Sequence, residues 1–134
     1  MPFPKNANLA IGEILQLQDS AIFLRKDGII QIQTKDYVSI KENESIGLVQ
    51  ILKAISGEKK FPALILYGEF NSFSKEAMDI FASHDVTTAD ALVATDNLAS
   101  AILSNLFFKT TKQNRPMQLF HSEEEAVAWL KSLP

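Results

Sequence analysis

The side chains in this 134-residue chain best suited to acid–base or metal chemistry are His84, His121, Asp79, Asp85, Asp90 and Asp96. Both chemistries need several such groups to converge on one point. The two histidines stand in separate loops with no His-x-x-x-His spacing, and the aspartates share no period. They read as capping or surface histidines and as solvated loop acids. With no cysteine, disulfide frameworks, zinc–cysteine sites and thiol nucleophiles are excluded. Gly12, Gly28, Gly47, Gly57 and Gly68 never cluster into the G-x-G-x-x-G or G-K-[ST] loops that cradle phosphates, and no G-x-S-x-G elbow occurs. These residues predict no metal, no cofactor and no catalytic activity.

Lys109, Lys112 and Arg115 form the one basic cluster, in a chain whose net charge is −3. Nucleic-acid binding leaves a basic footprint, so no nucleic-acid partner is expected. The cluster reads as a solvated helix end, where cations suit the negative pole of the helix dipole.

One segment combines polar groups with a favourable position: Gly68-Glu69-Phe70-Asn71-Ser72-Phe73-Ser74-Lys75-Glu76-Ala77. It leaves a predicted central strand and enters a predicted helix, which is where open α/β sheets place their working sites. Asn71, Ser72 and Ser74 are the candidate partner-binding or phosphoacceptor residues. Ser74 is at the same time a candidate N-cap.

The elements that must position this segment follow from the apolar pattern. Ile14–Gln18 alternates as a strand, and Ala21–Lys26 and Ile29–Thr34 flank Asp27-Gly28, a hairpin signal whose two turn residues would take positive φ. Ser39 and Glu42 fit a capping box for a helix carrying Leu48, Ile51, Leu52 and Ile55, closed by Gly57. Ala63–Tyr67 and Ala91–Ala94 are buried strands. Between them, Ser74 opens a helix with Ala77, Met78, Phe81 and Ala82 on one stripe. Asp96 opens a third helix reaching about residue 110. Met117–Phe120 is a last strand, and Ser122 caps a final helix with Ala126, Trp129, Leu130 and Leu133 inward. The predicted fold is α/β: one mixed, mostly parallel sheet with a β-hairpin start and four helices. Residues 1–134 form one domain, with 1–10 a loosely ordered lead-in.

The third predicted helix carries one anomaly. Leu98, Ala99, Ile102, Leu103, Leu106 and Phe107 make a broad core-facing stripe, whereas Phe108 falls on the opposite, small-residue side with Ser104. Either Phe108 folds down at the helix end, or the Ser104–Phe108 face meets a second copy or a ligand. A symmetric homodimer is the commonest form of such a contact.

Several segments together resemble a family. Asp27-Gly28 in its hairpin, the first helix, Pro62-Ala63-Leu64-Ile65-Leu66, Phe73-Ser74-Lys75-Glu76-Ala77 and Phe120-His121-Ser122-Glu123-Glu124-Glu125-Ala126-Val127-Ala128-Trp129-Leu130 are similar to the small SpoIIAA-like proteins of the STAS-like fold. That fold is shared with anti-sigma-factor antagonists, and the likeness spans roughly residues 15–133. In the antagonists an Asp-Ser-Ser-Gly motif opens the helix after a central strand, and a kinase phosphorylates a serine there. Here that region reads Asn71-Ser72-Phe73-Ser74, without the aspartate and glycine. The resemblance implies a regulatory module with a protein partner. Lipid-exchange domains, similar in element order, imply the alternative of a small apolar ligand.

No stretch approaches the ~18 apolar residues of a membrane span. The opening Met1-Pro2-Phe3-Pro4-Lys5-Asn6 lacks a signal-peptide pattern, so a cytoplasmic location is expected.

Overall fold

Alternating apolar residues build an antiparallel start from β1 (Ile14–Gln16), β2 (Ser20–Leu24) and β3 (Ile30–Thr34). Side chains of a strand point alternately to its two faces, so Ile22 opposite Ile32 and Leu24 opposite Ile30 bury one face together. The computed structural model describes residues 13–94 and 114–134. The expected lead-in over residues 1–10 and the third predicted helix, with Ser104 and Phe108, lie outside the described residues.

The β2–β3 hairpin forms where expected, with a different turn. Gly28 has φ +81°, but Asp27 is not at positive φ. The Gly28 N–H donates to the Arg25 carbonyl at 3.1 Å and Arg25 N–H to the Ile29 carbonyl at 2.9 Å. A left-handed glycine following a tight turn is the bulged connection rather than the two-residue one. The reason is local: Asp27 Oδ1 accepts from the Ile29 N–H at 3.3 Å, while its Oδ2 pairs with Arg25 and Lys131.

From β3 the chain crosses by β4 (Ser39–Ile40) and α1 (Glu42–Ser56) to β5 (Phe61–Leu66), then by β6 (Ser72–Phe73) and α2 (Lys75–Ser83) to β7 (Thr87–Val93). The last described elements are β8 (Met117–Phe120) and α3 (Glu123–Ser132). The strand order is β1-β2-β3-β5-β7-β8, with two antiparallel pairings followed by three parallel ones. The sheet is therefore mixed, and three helices pack on it among the described residues. Ile51 and Leu52 of α1 join Ile22, Ile32 and Ile65 on one face, where Met78 and Ala82 of α2 also cover Leu92. On the other face Ala126 and Leu130 of α3 cover Leu64, Ala91 and Val93, with Trp129 half-buried against Phe120.

The three expected serine caps meet different outcomes. Ser74 and Ser122 cap α2 and α3, their hydroxyls accepting from Ala77 N–H at 3.0 Å and Glu125 N–H at 3.3 Å. Ser39 does not cap α1; Lys41 holds that position with no side-chain bond. Ser39 lies instead in β4, which pairs in parallel with β6, Ser39 opposite Ser72 and Ile40 opposite Phe73. A partner strand distant in sequence has taken a residue whose local pattern suits a cap.

β7 also begins earlier than the sequence suggests. Thr87 opposite Phe61 and Asp90 opposite Ala63 extend the parallel ladder, with a register shift between them. Asp90 thus sits inside a central strand and is fully buried, and the reading of it as a solvated loop acid is corrected. Arg115 is corrected likewise: its side chain is 7% exposed and ion-paired to Asp90.

Candidate functional site

The loops leaving β3 and β5 emerge side by side because those strands are parallel neighbours. Asn71 locks them together. Its Oδ1 accepts from Thr34 Oγ1 at 2.6 Å and from Gly68 N–H at 3.0 Å, and its Nδ2 donates to the Lys35 carbonyl at 2.8 Å. Gly68 N–H also reaches Thr34 Oγ1 at 2.9 Å. The backbones approach so closely that a Cβ on Gly68 would lie 2.5 Å from the Lys35 carbonyl oxygen. Only glycine fits there.

Beyond this lock the backbone is strained at two residues. Tyr37 has φ +62° and Phe70 φ +56°, a region that bulky side chains rarely occupy. Tyr37 N–H donates to the Glu69 carbonyl at 2.8 Å, and Glu69 N–H donates to Asp36 Oδ1 at 2.8 Å. The result is a stacked pair of rings, centroids 5.2 Å apart and planes 18° from parallel. Tyr37 is 75% and Phe70 51% exposed.

Between the sheet and the first turns of α1 and α2 lies a cavity of about 380 Å³. Its inner walls are Ile32 and Ile65 of the sheet, Phe73 of β6, and Ala77, Met78 and Phe81 of α2. Leu17, Val38, Ile40 and Leu48 extend the apolar lining. Polar residues of the lining come chiefly from two segments: Gln18 and Asp19 of the β1–β2 turn with Ser20 at the start of β2, and Asn43, Glu44 and Ser45 at the start of α1. Gln18, Asn43 and Glu44 are exposed, which places the mouth there. Tyr67 also lines the cavity; burial, with the Asp90 charge adding to it, raises its phenol well above the ordinary value and keeps it neutral. A concave apolar space of this size with a few polar groups has the form of a small-molecule site. It opens at the carboxyl ends of parallel strands, where such sheets place ligands.

A second polar cluster lies deeper. Arg115 Nε donates to Asp90 and, at 3.0 Å, to Thr87 Oγ1, while the Thr87 hydroxyl donates to Asp90 Oδ1 at 2.8 Å. The Arg115 Nη atoms reach the Phe81, Ala82 and His84 carbonyls at 2.7, 3.2 and 2.7 Å. The guanidinium, together with Asn114 Nδ2 on the Ser83 carbonyl at 3.0 Å, therefore satisfies the last carbonyls of α2, which have no partner within the helix. His84 Nε2 lies 2.8 Å from Arg115 Nη2, and Nδ1 lies 3.1 Å from the Val86 N–H. Burial and then the Arg115 charge push the imidazole down to about 4. Burial also raises the Asp90 carboxyl, against the opposing pull of Arg115 and Thr87. The cluster ties the C-terminal end of α2 to β7 and to the turn before β8.

The predicted site residues separate accordingly. Asn71 is buried and holds the loops. Ser74 is engaged as the α2 cap. Ser72 is exposed, with its hydroxyl donating to Ser39 Oγ at 3.0 Å. None of the three lines the cavity, whereas Phe73 between them does. Asp19 and Glu44, at the polar side, carried no sequence signal, because the β1–β2 turn and the start of α1 meet only in the fold. Among the described residues no group of three or more His, Asp or Glu side chains could hold a metal ion, and no helix is long and apolar enough to cross a membrane.

A family model described as "Domain of unknown function (DUF7793)" matches residues 22–134. The chain belongs to the DUF7793 family. The matched span takes in the cavity walls from β3 through α2, and leaves outside only Leu17, Gln18, Asp19 and Ser20 of the lining. No curated protein and no solved structure matches the chain.

Proposed function

We propose that this chain is a non-enzymatic binding module that holds a small, largely apolar ligand in the cavity between the sheet and helices α1 and α2. The observation that carries this reading is the cavity itself, about 380 Å³ and walled by Ile32, Ile65, Phe73, Met78 and Phe81. Dense packing is the rule in protein interiors, so an apolar space of this size with a polar mouth favours an occupant. The element order, an antiparallel start continued by parallel strands, supports the resemblance to SpoIIAA-like and lipid-exchange domains of the STAS-like group. Native mass spectrometry of the full chain, together with titration by the uncharged dye N-phenyl-1-naphthylamine, tests the reading. Saturable binding at one site, lost in Val38→Trp while the melting transition is kept, supports it. Equal dye binding by wild type and Val38→Trp overturns it.

The stacked Tyr37–Phe70 pair favours a second reading, a regulatory module that docks on a second copy of itself. Exposed aromatics are strong interface anchors, and the strained backbone that presents them stands only because its surroundings hold it. Sedimentation decides this: a dimer that Tyr37→Ser with Phe70→Ser dissociates supports the reading, and a monomeric wild type removes it.

A further inference from the structure

Resting on the ligand-binding reading, we infer that the cavity selects amphiphiles whose head group carries no negative charge and donates hydrogen bonds, and that Asp19 and Glu44 impose this selection. The apolar walls are chemically permissive and would accept a chain or a ring system alike. The mouth is not permissive. Among the described residues, the charged ones that line the cavity are Asp19 and Glu44, both acidic, and no Lys, Arg or His is among them. Neither carboxylate makes an ion pair among the described residues. Lys41, the cation next to α1, is exposed and lines no part of the cavity.

Around these two groups stand Gln18, Ser20, Asn43 and Ser45, so the mouth offers acceptor oxygens in excess. A ligand with its apolar body against Ile32, Ile65 and Met78 leaves its head between the β1–β2 turn and the first turn of α1. There a hydroxyl or ammonium group finds acceptors. A carboxylate or phosphate finds donors in the same amides and hydroxyls but also meets two like charges, which those neutral groups do not cancel. The N-terminal amides of α1 soften the repulsion, since they carry about half a positive charge and Lys41 provides no side-chain cap. Two full negative charges exceed that half charge, so the discrimination against anions survives.

Competition against bound N-phenyl-1-naphthylamine, with the full chain at pH 7.5 and low salt, tests the inference using dodecanol, dodecylamine and dodecanoate. The three share one chain and differ only in the head. Dodecanol and dodecylamine should displace the dye at concentrations about ten-fold lower than dodecanoate, the discrimination expected of two partly exposed charges. Asp19→Asn with Glu44→Gln, which keep shape and polarity, should bring dodecanoate to within about two-fold of dodecanol. Dodecanoate competing as well as dodecanol in the wild type overturns the head-group inference while leaving the cavity reading intact. Unchanged discrimination in the double variant also overturns it, since the selection would then come from elsewhere. Failure of the dye to bind the wild type overturns both.

Discussion

Arg115 and Asp90, 25 residues apart in the chain, meet in the interior as an ion pair whose carboxylate is wholly enclosed. Arg115 reaches it from the turn before β8, and the same guanidinium closes the C-terminal end of α2. Removing one partner of a buried pair strands the other's charge, at a cost of about 3–5 kcal/mol. Arg115→Leu should therefore lower stability by that order in urea unfolding. Asp90→Val in the same chain should recover only part of it, because the Arg115 bonds to the Phe81, Ala82 and His84 carbonyls are lost with the guanidinium. Full recovery would show that Arg115 acts on Asp90 alone.

Two serines separate local from distant causes. Ser74→Ala should cost about 1 kcal/mol, the usual loss of a serine cap, measured as a shifted urea midpoint with unchanged slope. Ser39→Ala, at a residue with the same local pattern, should change stability by no more than about 0.5 kcal/mol. Equal losses at both sites would contradict the placement of Ser39 in β4.

Gly68→Ala tests the loop lock. The added methyl would meet the Lys35 carbonyl at 2.5 Å, a backbone atom that cannot swing aside. Overpacking of this kind costs about 1–3 kcal/mol. Gly28→Ala makes a useful contrast, since nothing lies within 4 Å of its Cβ and the penalty there comes from φ +81° alone.

Stability should also fall as the solution is acidified from neutrality. His84 titrates near 6.5 when unfolded and near 4 when folded. Between those values the unfolded chain binds the extra proton and the folded chain does not, so acid favours unfolding. The loss begins below about pH 6.5 and is complete near 4. His84→Gln, which removes the titrating ring, should flatten the profile in that window. A wild-type profile already flat there would contradict the buried, neutral imidazole.

These variants also mark what the sequence could and could not reveal. The buried strands β5 and β7, the apolar stripes of α1 and α2 and the two serine caps are written in short windows, because each depends on neighbours within a turn or two. Asp90 and Arg115 have charges that locally look solvated, and only a long-range pairing makes either one interior. β4 and β6, two residues each, are too short to carry a period. Tyr37 and Phe70 carry no cue to positive φ in their own types, and the bonds that join their loops, Tyr37 N–H to Glu69 and Glu69 N–H to Asp36, link residues more than 30 apart. Within segment 68–77 the sequence singles out Asn71, Ser72 and Ser74, whereas the residues of that segment that line the cavity are Phe73 and Ala77. The cavity wall is Phe73, which alternation along β6 turns inward between Ser72 and Ser74.

The β4–β6 ladder has a kinetic consequence. It joins residues 33 apart and consists of two paired positions, with Ser72 and Ser74 N–H groups bonded to the Val38 and Ile40 carbonyls. So small a ladder cannot hold that closure alone and must zip after β3 and β5 have aligned. By the same logic it is the seam that breathes first in the native state. The amides of Ser72 and Ser74 should then exchange with deuterium well before those of Ile32 or Leu64. Val38, Ile40 and Phe73, which ride on this seam, would part with it, making the opening a transient doorway into the interior.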